Sequence, residues 1–176
     1  VEAALKLGKP VVTANKALIA EHGEELAALA DASGTPLLFE AAVAGGIPVV
    51  RAIRESFAGT QIKSLRGILN GTCNYLLTEM KASGRSYDDV LADAQRLGYA
   101  EADPFLDVSG TDAAHKIAIL ASLGFGVPLD FSQVDISGVD TISLKDLELS
   151  AKLNHKIKLI AEATNTEAGV ICRVEP

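Results

Sequence analysis

The sequence predicts an α/β fold whose character changes along the chain. Three observations carry that expectation. Short β-branched runs alternate with helical segments over residues 9–70, and glycine or proline punctuates most of the junctions. Residues 156–176 then switch to a period-two pattern around a polar turn. Strand–helix–strand–helix alternation with short connections implies parallel strands with crossover helices, whereas the closing pattern is that of an antiparallel pair.

Each element follows from its residues. VEAALKLG (1–8) is helical in composition. KPVVTAN (9–15), bounded by Pro10 and Asn15, reads as a buried parallel strand. KALIAEHGEELAALADASG (16–34) reads as a helix that stops at Ser-Gly. TPLLFEAAVAGG (35–46) is a second buried strand entering a glycine turn, and IPVVRAIRESFAG (47–59) is a helix with Pro48 near its start, where a missing N–H costs least. IKSLRGILN (62–70) is a third strand that ends at Asn70-Gly71-Thr72. Two helices follow, GTCNYLLTEMKASG (71–84) and SYDDVLADAQRLG (86–98), the second opening on a loose capping box of Ser86 and Asp89. A further helix spans Gly110 to Gly126, and Ser143 is an N-cap for a short helix in the polar segment 130–154.

The 176 residues are enough to bury a core, as one domain or one and a half. A net charge of −7 with scattered Lys and Arg excludes a duplex-binding surface. Cys73 and Cys172 fit no metal-ligand spacing and no disulfide framework, which reads as two reduced thiols in a cytoplasmic protein. No apolar run is long enough to span a bilayer, and no leader pattern opens the chain. Val1 in place of Met, and a strand pattern still running at GVICRVEP, read as an excerpt from a longer protein.

The chemistry concentrates in GYAEADPFLDVSGTDAAHKIAIL (98–120), which gathers Glu101, Asp103, Asp107, Asp112 and Lys116 around Gly110. Asp112 and Lys116 are four apart, so a helix puts them on one face with the acid toward the N-terminus. Spacing alone leaves a surface ion pair and a proton-handling site equally open. Continuing the stripe of Lys116 gives Ile119 and Leu123, while Thr111, His115 and Ser122 form a polar stripe. A lysine held partly out of water has its ammonium disfavoured, which suits proton transfer, and an acid at the positive end of a helix dipole stays ionised beside it. Capping and turn formation explain one or two of the acids, but five ionisable groups around one turn exceed that need.

The pattern G-Y-x-E-x-D-P-x-x-D-V-x-G-x-D-A-A-H-K at 98–116 closely resembles the signature of homoserine dehydrogenase. VVTANKALIA (11–20), FEAAVAGGIPVV (39–50) and RGILNGTCNYLL (66–77) resemble the same family in the same order, so the likeness covers nearly the whole chain. It implies the C-terminal part of a Rossmann-type nucleotide-binding domain over 1–47, then an α+β substrate and dimerisation domain with a mixed sheet over 48–176. The implied reaction is reduction of L-aspartate 4-semialdehyde to L-homoserine with NADP or NAD as cofactor, on the route to threonine, methionine and isoleucine.

By resemblance, Lys116 is the proton donor to the aldehyde oxygen and Asp112 orients it and touches substrate. Glu101 matches the acid that binds the substrate amino group, Asp107 a further polar residue of the pocket, and Gly98 a place where backbone nears the cofactor. Lys16 matches a lysine near the nicotinamide and is a second candidate for the proton role. Carbonyl oxygens of Glu40, Val43, Gly45 and Ile47 match a monovalent cation loop, usually occupied by sodium. The family also implies a homodimer, with no nucleic-acid or membrane partner. The phosphate-binding G-x-G-x-x-G is absent from this sequence. The family places it upstream, so the chain by itself is expected to lack turnover. Two rivals remain at this stage. One is another two-domain semialdehyde dehydrogenase using a cysteine nucleophile, for which Cys73 has no obvious neighbouring base; the other is a non-catalytic dimerisation module.

Overall fold

A computed structural model describes residues 1–128 and 130–176. In chain order the elements are α1 (Glu2–Lys6), β1 (Val11–Val12), α2 (Lys16–Ser33), β2 (Leu37–Leu38), a 3-10 turn (Glu40–Ala42) and α3 (Val49–Arg51), which runs on as a π turn (Ala52–Ser56). Then come β3 (Ser64–Gly67), α4 (Gly71–Ser83), α5 (Tyr87–Arg96), α6 (Phe105–Val108), α7 (Thr111–Phe125), a 3-10 turn (Phe131–Gln133), β4 (Val134–Ile136), α8 (Leu144–Lys152), β5 (Ile160–Thr166) and β6 (Gly169–Glu175). The fold is mixed α/β, as the sequence predicts. β1 and β2 form a parallel two-stranded sheet, and a four-stranded sheet has the order β3-β5-β6-β4.

The chain divides into two compact units. The first comprises Val1–Leu65, His115–Val134 and Glu162–Cys172. Here α1 and β2 pack against α2, whose Ile19, Ala20, Leu26 and Ala30 are buried. Asn15 caps α2 by accepting from Leu18 N–H at 3.1 Å, and Gly34 ends it in the left-handed conformation at φ +60. β1 and β2 pair in register, Val11 with Leu37 and Val12 with Leu38. Neither is the buried strand the sequence predicts. Leu37 is covered, but Val12 is 80% exposed and Leu38 50%, because a two-stranded sheet with a helix on one face leaves alternate side chains open on the other.

The second unit comprises Arg66–Ala114, Asp135–Ala161 and Arg173–Pro176. α4 is its centre and packs against α5, α6 and α8, with Cys73, Leu76, Leu77 and Met80 buried on it. Ser86 and Ser143 cap α5 and α8, the latter with a complete Ser143–Asp146 capping box. The antiparallel end of the chain forms β5 and β6 as expected. β4 and α6 carry no sequence signal, since their three and four residues are too short to show a period.

α7 departs from the two-striped helix of the sequence reading. His115 is buried, its ring 4.4 Å from that of Phe131, and Ser122 Oγ donates to the Val127 carbonyl at 2.8 Å. From Asp112 to Ala121 every residue but Lys116 is buried. A helix covered on all sides belongs to an interior, so polarity along it marks partners and not a solvent face.

Candidate functional site

Asn70 organises the acidic cluster of the second unit. It leaves β3 in extended conformation and caps α4, its Oδ1 accepting from Cys73 N–H at 2.7 Å. That bond orients the amide, so the NH2 group faces away from the helix. Nδ2 donates to Asp107 Oδ1 at 2.7 Å and to Asp112 Oδ2 at 2.9 Å. Asn70 is 3% exposed and Asp112 7%. Asp112 also lies in the first turn of α7, where the helix dipole favours an anion.

Cys73 belongs to the same cluster, its thiol donating to the Asp107 carbonyl at 3.1 Å. Burial above all, then the nearby charges of Asp107 and Asp112, pushes the thiol up to about 12. A protonated thiol beside two acids is a poor nucleophile at neutral pH, which counts against the acylating rival. Cys73→Ser in the full-length protein is accordingly expected to leave its activity close to that of the parent. Complete loss of turnover in a folded Cys73→Ser protein would reinstate a thiol mechanism.

The loop carrying Glu101 is held from two helices. Gln95 Nε2 donates to the Glu101 and Ala102 carbonyls at 3.1 and 3.2 Å, and Thr72 Oγ1 donates to the Tyr99 carbonyl at 3.0 Å. The rings of Tyr75 and Tyr99 lie 5.0 Å apart. With its backbone pinned, Glu101 is exposed and its carboxylate has no hydrogen bond or ion pair among the described residues. Gly98, at φ +77, ends α5: its N–H reaches Gln95 O and that of Tyr99 reaches Ala94 O. Helix termination therefore explains this glycine locally.

The five ionisable groups do not all converge. Asn70 joins Asp107 to Asp112, whereas Asp103 accepts from Phe105 N–H at 3.1 Å in the turn that leads into α6, and Glu101 stands on its own loop. Gln95 gave no signal in the sequence, whereas the family resemblance set Asn70-Gly71-Thr72 at the end of a strand beside the pocket without assigning Asn70 a role.

In the first unit, Lys16 is the first residue of α2, directly after β1, and is half-buried. The segment after β2 holds Glu40, Val43, Gly45 and Ile47. Because β1 and β2 are parallel, Lys16 and this segment leave from the same sheet edge, the carboxyl end where open α/β sheets bind ligands. Glu40 spends its carboxylate on α3, accepting from Val50 and Arg51 N–H at 3.0 and 2.9 Å. Val43 is fully buried, Ile47 O accepts from Val49 N–H, and Ala44 and Gly46 take positive φ of 49° and 85°. Lys116 is half-buried on α7, one turn beyond Asp112.

Comparison with known proteins matches residues 48–176 to the homoserine dehydrogenase family and residues 1–40 to the homoserine dehydrogenase NAD-binding domain. The homoserine dehydrogenase of Pseudomonas aeruginosa is 52% identical over 173 residues, 98% of this chain and 40% of that protein. The crystal structure of a homoserine dehydrogenase from Thiobacillus denitrificans superposes with a TM-score of 0.97 at 47% identity, covering 99% of this chain and 41% of that one. A hyperthermophilic archaeal homoserine dehydrogenase in complex with NADPH superposes with a TM-score of 0.84 at 29% identity, covering 99% of this chain and 50% of that one. The chain thus spans about 40% of the length of the curated relatives it matches.

Proposed function

We propose that this chain, which belongs to the homoserine dehydrogenase family, supplies the substrate-handling residues of a full-length enzyme that reduces L-aspartate 4-semialdehyde to L-homoserine. The observation that carries the reading is the Asp107–Asn70–Asp112 cluster, two carboxylates held by one buried amide at the start of the helix that bears Lys116. On this reading residues 1–47 end a nucleotide-binding domain, and 48–176 handle substrate and dimerisation.

The substrate carries an ammonium, a carboxylate and an aldehyde. Glu101, exposed and unpaired on a pinned loop, would take the ammonium, a charge-assisted contact that the site offers without breaking an internal bond. Asp107 would add charge on the same side. Lys116 would stabilise the negative charge that develops on the aldehyde oxygen and give it a proton, and Asp112 would orient that lysine. Lys16 at the sheet edge is the alternative donor, and Gly98 would bring backbone toward the cofactor.

A nicotinamide cofactor, NADP or NAD, supplies the hydride when bound. The parallel β1–β2 edge fits such a group, since Lys16 and the loop after β2 leave from it together. Carbonyls of Glu40, Val43, Gly45 and Ile47 would hold a monovalent cation such as sodium. An oxygen-only donor set suits a hard cation, and the capping duty of the Glu40 carboxylate leaves its carbonyl for that role. The enzyme would be a cytoplasmic homodimer, which light scattering checks.

The direct test is semialdehyde-dependent oxidation of NADPH or NADH by the full-length enzyme. Within it, Glu101→Gln is expected to raise the KM for homoserine about tenfold or more while leaving that for the cofactor near its starting value. Equal changes in both constants would make Glu101 a structural residue.

A further inference from the structure

We propose that Asn70 is the positioning residue of this site: its single NH2 group holds the carboxyl groups of Asp107 and Asp112 together as a pair at the start of α7. The two hydrogens of a planar amide nitrogen point about 120° apart, so acceptors at 2.7 and 2.9 Å are fixed roughly 5 Å from one another. Like charges that close repel, and one of the two ordinarily takes up a proton. A donor shared between them opposes that, and it does so with a group that cannot itself titrate. A lysine in the same place would neutralise the charge the substrate ammonium is meant to meet; an amide stabilises the anions and leaves their net charge intact.

The surroundings make Asn70 hard to replace in this duty. Its carbonyl is committed to Cys73 N–H, so the amide cannot rotate without losing the cap of α4. The ionisable neighbours are Cys73 on α4, whose thiol is protonated, Tyr87 on α5 beside that thiol, Asp107 on α6, and on α7 Asp112 with Lys116 one turn further on. Thr72 and Gln95 hold the neighbouring Glu101 loop through its carbonyls, and Asn70 donates to the side chains of both acids.

Two variants of the full-length enzyme separate this role from simple capping. Asn70→Ser and Asn70→Asp each keep a side-chain oxygen that can accept from Cys73 N–H, so both preserve the cap and remove the paired donor. With aspartate side chains labelled in 13C, and Asp107→Asn and Asp112→Asn used for assignment, both variants are expected to raise the titration midpoint of one acid. The shift is about tenfold or more in proton affinity, larger for Asn70→Asp, which adds a third carboxylate. In kinetics, the acid limb of kcat/KM for homoserine moves to higher pH by the same factor. Asn70→Ser then recovers toward the parent rate as pH is raised, which a residue that only stabilises the fold would not do.

The isosteric Asn70→Asp carries the test if Asn70→Ser does not fold. Unmoved midpoints in a folded variant overturn the proposal whatever the enzyme catalyses. The kinetic arm rests on the proposed reaction: shifted midpoints in a protein that never turns over homoserine would uphold the positioning role and refute that reaction.

Discussion

On the proposed reading, Lys116→Ala in the full-length protein is expected to lower kcat by roughly two to four orders of magnitude, the usual cost of losing a positioned proton donor. Folding and cofactor binding should stay near those of the parent. Lys116 is the one residue between Asp112 and Ala121 that is not buried, on a helix otherwise enclosed along that stretch. The proposed reading accounts for a cation at this half-open position, where an apolar residue would cost nothing in desolvation. Asp112, one turn earlier, lies on the same face. Steady-state rates in both directions, with cofactor titration and a thermal melt as controls, decide the matter. A Lys116→Ala enzyme that keeps most of its kcat would move the proton role to Lys16, and Lys16→Ala would then show the larger loss.

Gly138→Ala is expected to destabilise the fold by about 3 kcal/mol and to damage the site with it. A Cβ on Gly138 would stand 2.3 Å from the Val108 carbonyl oxygen and 2.8 Å from the Ser109 Cα. Both are backbone atoms and cannot swing aside. Val139 N–H donates to that same carbonyl at 2.8 Å, so the two segments are already bonded where the methyl group would intrude. On the far side, Gly110 takes φ +87, and a Cβ there would meet Ile136 and Val174 at 3.1 and 3.2 Å. Val108 to Gly110 is the short connection between Asp107 and Asp112, so displacing it pulls the pair off Asn70. Chemical denaturation midpoints measure the loss. Gly59→Ala, where nothing lies within 4 Å and φ is ordinary, is the control and should leave the midpoint in place. A Gly138→Ala protein as stable as the control would mean that the contact between these segments gives way freely.

Much of the architecture was legible because local signals agreed with the final fold. Asn15, Ser86 and Ser143 cap the helices they precede, Gly34 and Gly84 end theirs in the left-handed conformation, and the period-two end of the chain forms β5 and β6. The misses have a common cause. β1 and β2 read as buried from their β-branched and leucine residues, yet burial depends on what lies against each face, which no run of residues states. His115 and Ser122 looked like a wet stripe because polarity was taken for exposure. In the structure His115 is buried against Phe131, and Ser122, half-buried, donates to the Val127 carbonyl.

The sequence by itself determined where the longer helices lie, which segment concentrates the acids and the lysine, and which family the motifs resemble. These are properties of neighbours along the chain, set by capping, periodicity and order of motifs. Only the tertiary structure decided that Asp107 and Asp112 share one donor, that Asp103 is spent on α6, and that Cys73 stays a thiol. Asn70 lies 37 and 42 residues from the two acids it holds. Hydrogen bonds and desolvation act over a few ångströms of space with no regard for such separations, so the pairing exists only once α4, α6 and α7 have packed.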